Sequence, residues 1–248
     1  MPSVAALWRH PIKAHGREEV QSVRFTEGET MPWDRRWAVA HELSDADDSA
    51  WSQCNRFARA AKVPALMAIS TTSDLETGSL EVSHPKLRPL RFNPDEEAQK
   101  FLDWVCPLMP KNRPQSVRLV RVPGRGMTDS NYPSVSLLNL ASNAAVAKAM
   151  EQEISPLRWR GNIHVDGLEA WEEFTFVGKT LRVGGAEFRV EEPITRCLAT
   201  HANPETGERD AGVLAALDRK FNHQEFGVNL VATKSGDVAV GDAVEILQ

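Results

Sequence analysis

The run LRVGGAEFRV, residues 181–190, reads as two short strands folded back on each other at Gly184-Gly185. Two adjacent glycines supply the positive φ values that a tight hairpin turn needs. The flanking residues are apolar and β-branched or aromatic, as strands prefer. The same signature recurs along the chain. Strand-like runs lie at Val4–Trp8, Val20–Phe25, Arg36–His41, Leu66–Ser70, Ser79–Ser83 and Val117–Val122. Further ones follow at Asn162–Val165, Lys179–Val183, Ala186–Glu191, Gly227–Val231 and Ala243–Leu247, separated by Gly, Pro, Asp or Asn.

Helical signals are few. In NPDEEAQKFLDWVC, Asn93 stands as N-cap, Pro94 at the first helical position and acids in the first turn. Ala98, Phe101, Leu102 and Val105 then share one face. A second helix is expected from Ser142 or Asn143, with Val146 and Met150 on one side, and a short third over Val213–Lys220. Many strands with few helices predict a mainly β fold of barrel-like architecture rather than a doubly wound sheet. The proline-rich stretch Val105–Ser116 reads as a connector. It predicts an N-terminal β domain over 1–115 and a second over 116–248, with the first strands able to cross back to the second unit.

The composition is that of an ordinary soluble globular protein, 42% hydrophobic and 25% charged in 248 residues. A net charge of −5 argues against a general nucleic-acid binder. The N-terminal apolar stretch ends at Trp8-Arg9, too short for a signal sequence or a membrane span, so a cytoplasmic protein is expected. Three scattered cysteines, Cys54, Cys106 and Cys197, form neither a disulfide framework nor a zinc knuckle. Nucleophile-elbow, HExxH, P-loop and GxGxxG motifs are absent from the sequence.

Chemistry concentrates in four segments. In PITRCLATHANPETGERD, residues 193–210, Cys197 follows Arg196, and a neighbouring guanidinium favours the thiolate that binds soft metals or attacks electrophiles. Spacing alone leaves open a buried filler, a metal ligand, a nucleophile and a cofactor anchor. His201, four residues on along an extended chain, lies too far away to be a base for the thiol. In SPLRWRGNIHVDG, Arg158 and Arg160 alternate around Trp159 and are expected on one face of an extended segment, suited to phosphate, with Asn162 adding a carboxamide. GRGMTDSNYPSVSLLN offers Thr128, Asp129, Ser130, Ser134 and Ser136 in a polar loop. WRHPIKAHG and PWDRRWAVAHE bring Lys13 and Asp34-Arg35-Arg36 to strand ends. Cys54 and Cys106 read as structural, and in SQCNRFARAAK only Asn55 and Arg56 stand out as a pocket edge.

Together these segments resemble the MOSC-domain family, named for the molybdenum-cofactor sulfurase C-terminal domain, with the β-barrel region that often precedes it. The pattern is most similar to the amidoxime-reducing molybdenum enzymes. TRCLATHANPETG resembles Arg-Cys-x-x-Thr-x-x-Asp-Pro-x-Thr-Gly, RWRGNI resembles Arg-x-Arg-Pro-Asn-Ile, HPIKA resembles Tyr-Pro-Val-Lys-Ser and WDRRW resembles Asp-Arg-x-Trp. Ala14, Gly161 and Asn203 depart from the pattern, standing where Ser, Pro and Asp are usual. The resemblance implies a MOSC β-barrel beside a smaller N-terminal β unit, and a molybdopterin-type molybdenum cofactor rather than pyridoxal phosphate. It implies molybdenum ligation by Cys197 and cofactor binding by Lys13, Arg35, Thr128, Asp129, Ser130, Arg160, Asn162 and Arg196. The implied activity is reduction of small N-hydroxylated compounds with electrons from a separate protein, since no cysteine cluster holds an iron–sulfur centre. The rival implication is a cofactor or persulfide sulfur carrier without turnover. Neither nucleic acid nor membrane is an expected partner.

Overall fold

The hairpin at Gly184-Gly185 sits in the largest sheet of the protein. The computed structural model describes residues 1–247. Strand β1 (Ser3–Arg9) pairs antiparallel with the short β2 (Glu18–Val20), and β3 (Ser22–Phe25) follows. The N-terminal unit then adds β4 (Ala38–His41), β5 (Ser70–Asp74), β6 (Ser79–His84), β7 (Leu87–Phe92), helix α1 (Ala98–Val105) and β8 (Ser116–Val120). The second half holds β9 (Val135–Asn139), α2 (Leu140–Met150), β10 (Ile163–Asp166), β11 (Thr180–Val183) and β12 (Ala186–Thr195). Then come α3 (Val213–Ala216), β13 (Glu225–Lys234), β14 (Gly236–Ala239) and β15 (Val244–Leu247).

Eight strands form one curled sheet in the order β15-β11-β12-β13-β9-β10-β1-β2. The hairpin register is Leu181↔Phe188 and Val183↔Ala186, with Gly184 at φ +54°. A Cβ there would lie 2.2 Å from Asp242 Oδ2. β9 and β10 run parallel, joined by α2 as crossover, and every residue of β9 is buried. The β3–β14 ribbon lies over the sheet, and Phe25 meets Phe188 edge-on at 5.0 Å, inside a core that includes Leu7, Leu137, Ile163, Val228 and Leu230. β1 is N-terminal in sequence yet pairs with β10, so the first strand belongs to the large sheet.

The N-terminal unit packs the β4–β8 ribbon and the β5-β6-β7 sheet around Trp37, Leu66, Leu80, Phe92 and Phe101. β8 lies beyond the connector expected at 105–116 and pairs with β4. Three local expectations need correction. Leu66–Ser70 is not a strand: Pro64 opens a 3-10 turn over Pro64–Ala68, and β5 starts at Ser70. Asn93 caps a turn rather than α1; its side chain accepts from Asp95 N, Glu97 reaches back to Asn93 N, and the helix begins only at Ala98. α2 starts at Leu140, because Asn139 accepts from Ala141 N and caps it three residues before Ser142 takes a buried bond to Glu173.

Two predictions follow from this packing. A Cβ on Gly161 would stand 2.2 Å from Leu138 Cγ, and Leu138 is buried beside Trp159 and Phe226. Gly161 therefore lets Leu138 fill the space that proline would take. Gly161→Ala is expected to cost about 1–3 kcal/mol in urea unfolding. In the Leu138→Ala background the cost should shrink, a coupling that a double-mutant cycle measures.

The second prediction concerns acid. His15 and His164 are buried, with neither Nε2 atom hydrogen-bonded. Burial pulls both imidazoles down from 6.5 to about 4, against a hydrogen bond to the Lys13 backbone for His15 and to the Gly161 backbone for His164. The unfolded chain therefore binds protons first as pH falls. Their contribution to stability is complete above about pH 6.5 and drains away toward pH 4, about 2 kcal/mol for each by pH 5. His15→Asn keeps a donor for the Lys13 carbonyl without the titration. It should reduce the loss between pH 7.5 and pH 5 by about that share; an identical loss in the variant would refute the assignment.

Candidate functional site

The chemistry-bearing segments converge at the seam between the large sheet and the N-terminal unit. β1 ends at Arg9 and delivers His10–His15 to the sheet rim, where Lys13 N bonds Trp37 O at 2.7 Å. At the same rim Asp34 is fully buried and accepts from His10 N at 2.8 Å, from His10 Nδ1 at 3.2 Å and from the Arg35 guanidinium. Burial opposes its ionisation, but the charge of Arg35 and the bonds from His10 and Arg35 outweigh that and hold the carboxyl far below the usual range. Arg35 adopts φ +51°, and its Nη2 reaches Arg160 O at 2.9 Å. The neighbouring Gly126 comes so close that a Cβ would lie 2.4 Å from Asp34 O.

Arg158-Trp159-Arg160 does not alternate along a strand. Pro156–Trp159 forms a 3-10 turn, initiated by Pro156 and capped by Ser155, and Arg160 closes it at φ +52°. The two arginines therefore separate in role. Arg158 is buried and pairs with Asp210 at 2.6 Å and with His201 O at 3.2 Å. Arg160 turns into the site, and its only side-chain hydrogen bond among the described residues is to Gly16 O at 3.2 Å. Burial and the charges of Arg35 and Arg17, partly offset by Asp34 and Asp129, bring Arg160 down to about 9.

Arg196 is aimed by carbonyls rather than carboxylates. It donates to Phe226 O at 2.8 Å and Trp159 O at 2.8 Å, beside the Trp159–Phe226 stack. Next to Phe226, Gly227 at φ +70° lets β13 pack against β9, since a Cβ there would sit 2.5 Å from Leu137 O. Burial lowers Arg196 to about 9; Cys197 works in the opposite sense and Arg35 adds to the fall. The Cys197 side chain is exposed. After it the chain forms a 3-10 turn over Leu198–His201, not an extended segment. His201 remains unsuited as a base for Cys197, but for a different reason from distance along a strand: its Nε2 takes the Leu214 N–H at 3.4 Å.

Two adjoining cavities result. The larger, about 240 Å³, is lined by Lys13, Arg160, Arg196 and Cys197 together with Cys54 and Arg59. The smaller, about 70 Å³, is lined by Thr128, Ser130, Ser136 and Asn162, and both contain Arg35, Asp129, Arg160 and Arg196. Lys13, 5% exposed, bonds Met127 O at 2.7 Å and pairs with Asp129, whose carboxylate is otherwise open to solvent. The cavity walls around Asp129 disfavour its ionised form despite its contact with solvent, yet Lys13, Arg35 and Arg160 keep its carboxyl below the ordinary value. Thr128 and Ser130 share bonds with each other and with Tyr132 O, and Ser130 Oγ meets Ser134 Oγ at 2.6 Å. Asn162 spends its carboxamide internally: Oδ1 accepts from Ser136 N and Oγ, and Nδ2 donates to Trp8 O at 3.1 Å, tying β1, β9 and β10 together.

All nine residues that the resemblance assigns to cofactor or metal line one or both cavities. Cys54 and Arg59 also line the larger one, whereas Asn55 and Arg56, read as a pocket edge, are exposed and absent from its wall; Arg56 pairs with Asp45. Cys106, read as structural, is exposed at the end of α1. The buried His10–Asp34 pair is a further missing element. A carboxylate beside two arginines at a strand end was its only sequence signal.

The NPETG turn closes the site from the side. Arg17 donates to Met67 O at 2.7 Å and to Glu205 at 2.9 Å, and Arg209 donates to Ala61 O at 2.7 Å. Gly207, φ +71°, packs so tightly that a Cβ would lie 2.7 Å from Ala65 Cα.

Comparison with known proteins agrees with this layout. The MOSC domain profile matches residues 127–245, and the profile of the MOSC N-terminal beta barrel domain matches residues 1–106. The molybdenum cofactor sulfurase of Drosophila melanogaster is 32% identical over 123 residues, covering 46% of this chain and 16% of that protein. The molybdenum cofactor sulfurase of Caenorhabditis elegans is 33% identical over 124 residues, covering 48% and 17%. The chain thus matches less than a fifth of the length of these relatives. The solved YUAD protein from Bacillus subtilis shares the fold, with a TM-score of 0.51 at 12% identity over 99% of this chain and 96% of that one. Matched by both profiles in order along its length, the chain belongs to the MOSC-domain family.

Proposed function

We propose that this protein binds a molybdopterin-type molybdenum cofactor and reduces small N-hydroxylated compounds, drawing electrons from a separate protein. One observation carries the reading: an exposed thiol, Cys197, opens into a chamber where Arg160 and Arg196 have no carboxylate partner among the described residues. Half-buried guanidiniums, each lowered by enclosure and by the charge of Arg35, gain from an incoming anion, and a cofactor phosphate is such an anion. A thiolate is the ligand type that a soft metal takes. The donor set therefore fits the group.

When bound, the cofactor supplies two-electron redox chemistry. The chain supplies the rest. Cys197 would hold the metal, and Arg160 and Arg196 would hold the phosphate. Lys13, held by Met127 O and paired with Asp129, keeps one ammonium N–H for the cofactor without leaving its place. Arg35 acts as a brace, because Asp34 and Arg160 O fix both ends of its guanidinium. Thr128, Asp129 and Ser130 present hydroxyls and a carboxylate toward the smaller cavity, where the pterin edge would lie. Asn162 acts at one remove, by holding Ser136 and the strand ends in register. Among the described residues no helix is long and apolar enough to cross a membrane.

A second reading rests on the exposure of Cys197 and on sequence similarity to proteins named molybdenum cofactor sulfurase. In it the thiol carries a persulfide or a cofactor in transit, without turnover.

Protein made in a molybdenum-replete host should contain about one molybdenum per chain. Cys197→Ser should lower N-hydroxy reduction with an artificial electron donor by roughly 100-fold or more while leaving the unfolding midpoint in place. Full activity in that variant would sink the ligand assignment. A persulfide trapped on Cys197 in molybdenum-free protein would favour the carrier.

A further inference from the structure

The outer wall of the Cys197 chamber carries a cation that cofactor binding leaves unused. The N-terminal unit contributes Cys54, Arg59, Ala60 and Ala61 to the same chamber lining that holds Arg196 and Cys197. This wall is fixed in place. Arg209 holds Ala61 O at 2.7 Å, and Ala60 is buried with Met67 and Ala202.

The charges on the chamber wall divide cleanly. Lys13, Arg35 and Arg158 are neutralised by Asp129, Asp34 and Asp210. Arg160 and Arg196 also line the smaller polar cavity, on the side where the cofactor would lie. Arg59 lines only the larger chamber. Among the described residues it forms no ion pair, and its one side-chain hydrogen bond runs to Cys54 Sγ at 3.9 Å. Sulfur is a weak acceptor, so most of the guanidinium N–H donors remain unspent. Its neighbours on the wall, Ala60, Ala61 and Ala199, offer no competing polar side chain. A planar fork with free donors beside apolar surface matches a carboxylate held bidentately.

We propose that Arg59 is a specificity residue: it binds the carboxylate of an anionic substrate whose other end faces Cys197. The substrate class is thus a small molecule with both a carboxylate and the reacting group. For turnover this rests on the reductase reading; for anion selection it does not.

The test uses the cofactor-free full chain and two thiol reagents of similar size, anionic iodoacetate and neutral iodoacetamide. Alkylation rates at Cys197 are read by peptide mass spectrometry for wild type, Arg59→Gln and Arg59→Lys. In Arg59→Gln the iodoacetate-to-iodoacetamide ratio should fall roughly threefold, the size of effect expected for one partly exposed charge, with the iodoacetamide rate unchanged. Arg59→Lys should keep most of the ratio. A ratio in Arg59→Gln equal to wild type overturns the proposal, as does an equal change with both reagents, which would mark a displaced wall. In loaded enzyme, Arg59→Gln should raise KM for carboxylate-bearing N-hydroxy substrates about 10-fold and leave that of neutral ones and kcat alone. Equal KM changes for both substrates also overturn it. Protein that takes up no molybdenum yet keeps the Arg59-dependent ratio would sink the reductase reading and leave this one standing.

Discussion

A single buried carboxylate organises the site. Asp34 has no solvent to ionise into, and it is ionised because His10 and Arg35 surround it. Removing Arg35 would leave an unpaired charge in the interior, a change that typically costs about 3–5 kcal/mol, whereas His10, held neutral by burial and by Arg160, contributes hydrogen bonds. The arrangement therefore fixes three things together: the end of β1 through His10, the left-handed backbone of Arg35, and the Arg35 contact to Arg160 O. Positive φ at Arg35 and Arg160 is a local cost, and it falls where the backbone must turn guanidiniums toward the chamber. Asp34 balances Arg35 and leaves Arg160 without a carboxylate partner.

The same site depends on two units meeting. Lys13 and Arg35 come from the N-terminal half, Arg160, Arg196 and Cys197 from the second half, and the wall of Ala60 and Ala61 from the N-terminal half again. Arg17 and Arg209 lock the seam by donating across it, Arg17 to Glu205 and Arg209 to Ala61 O, so charge-assisted bonds are exchanged between units. Carbonyl acceptors demand that the donating arginine keep its place to within a few tenths of an ångström.

Much of this was legible in the sequence because it depends on local rules. Gly184-Gly185 marked the hairpin, and Cys197 stood out by its company of arginines. What the sequence did not reveal came from non-local contacts. Leu66–Ser70 has strand composition, but Pro64 and the docking of the NPETG turn hold it as a 3-10 turn. Alternation around Trp159 suggested a strand, yet Ser155-Pro156 starts a turn and Asp210, 52 residues away, claims Arg158. Asn162 looked like a ligand donor and is also a strap, because Ser136 and Trp8 saturate its carboxamide. Arg59 carried no signal at all. Its meaning depends on sharing a chamber lining with Cys197, and no spacing along the chain encodes that.

Charge distribution gives the last step. The chain is acidic overall, with a net charge of −5, yet six cationic residues, Lys13, Arg35, Arg59, Arg158, Arg160 and Arg196, line one chamber beside a single carboxylate, Asp129. Exposed acids elsewhere do little to cancel this, because at physiological salt a surface charge is felt over only about 8 Å. A polymer such as nucleic acid needs a basic stripe on an open surface. Here the positive charge is folded inward, into about 240 Å³. With Lys13, Arg35 and Arg158 paired to carboxylates, Arg59, Arg160 and Arg196 are the chamber cations without a carboxylate partner among the described residues, a charge pattern suited to an anion small enough to enter.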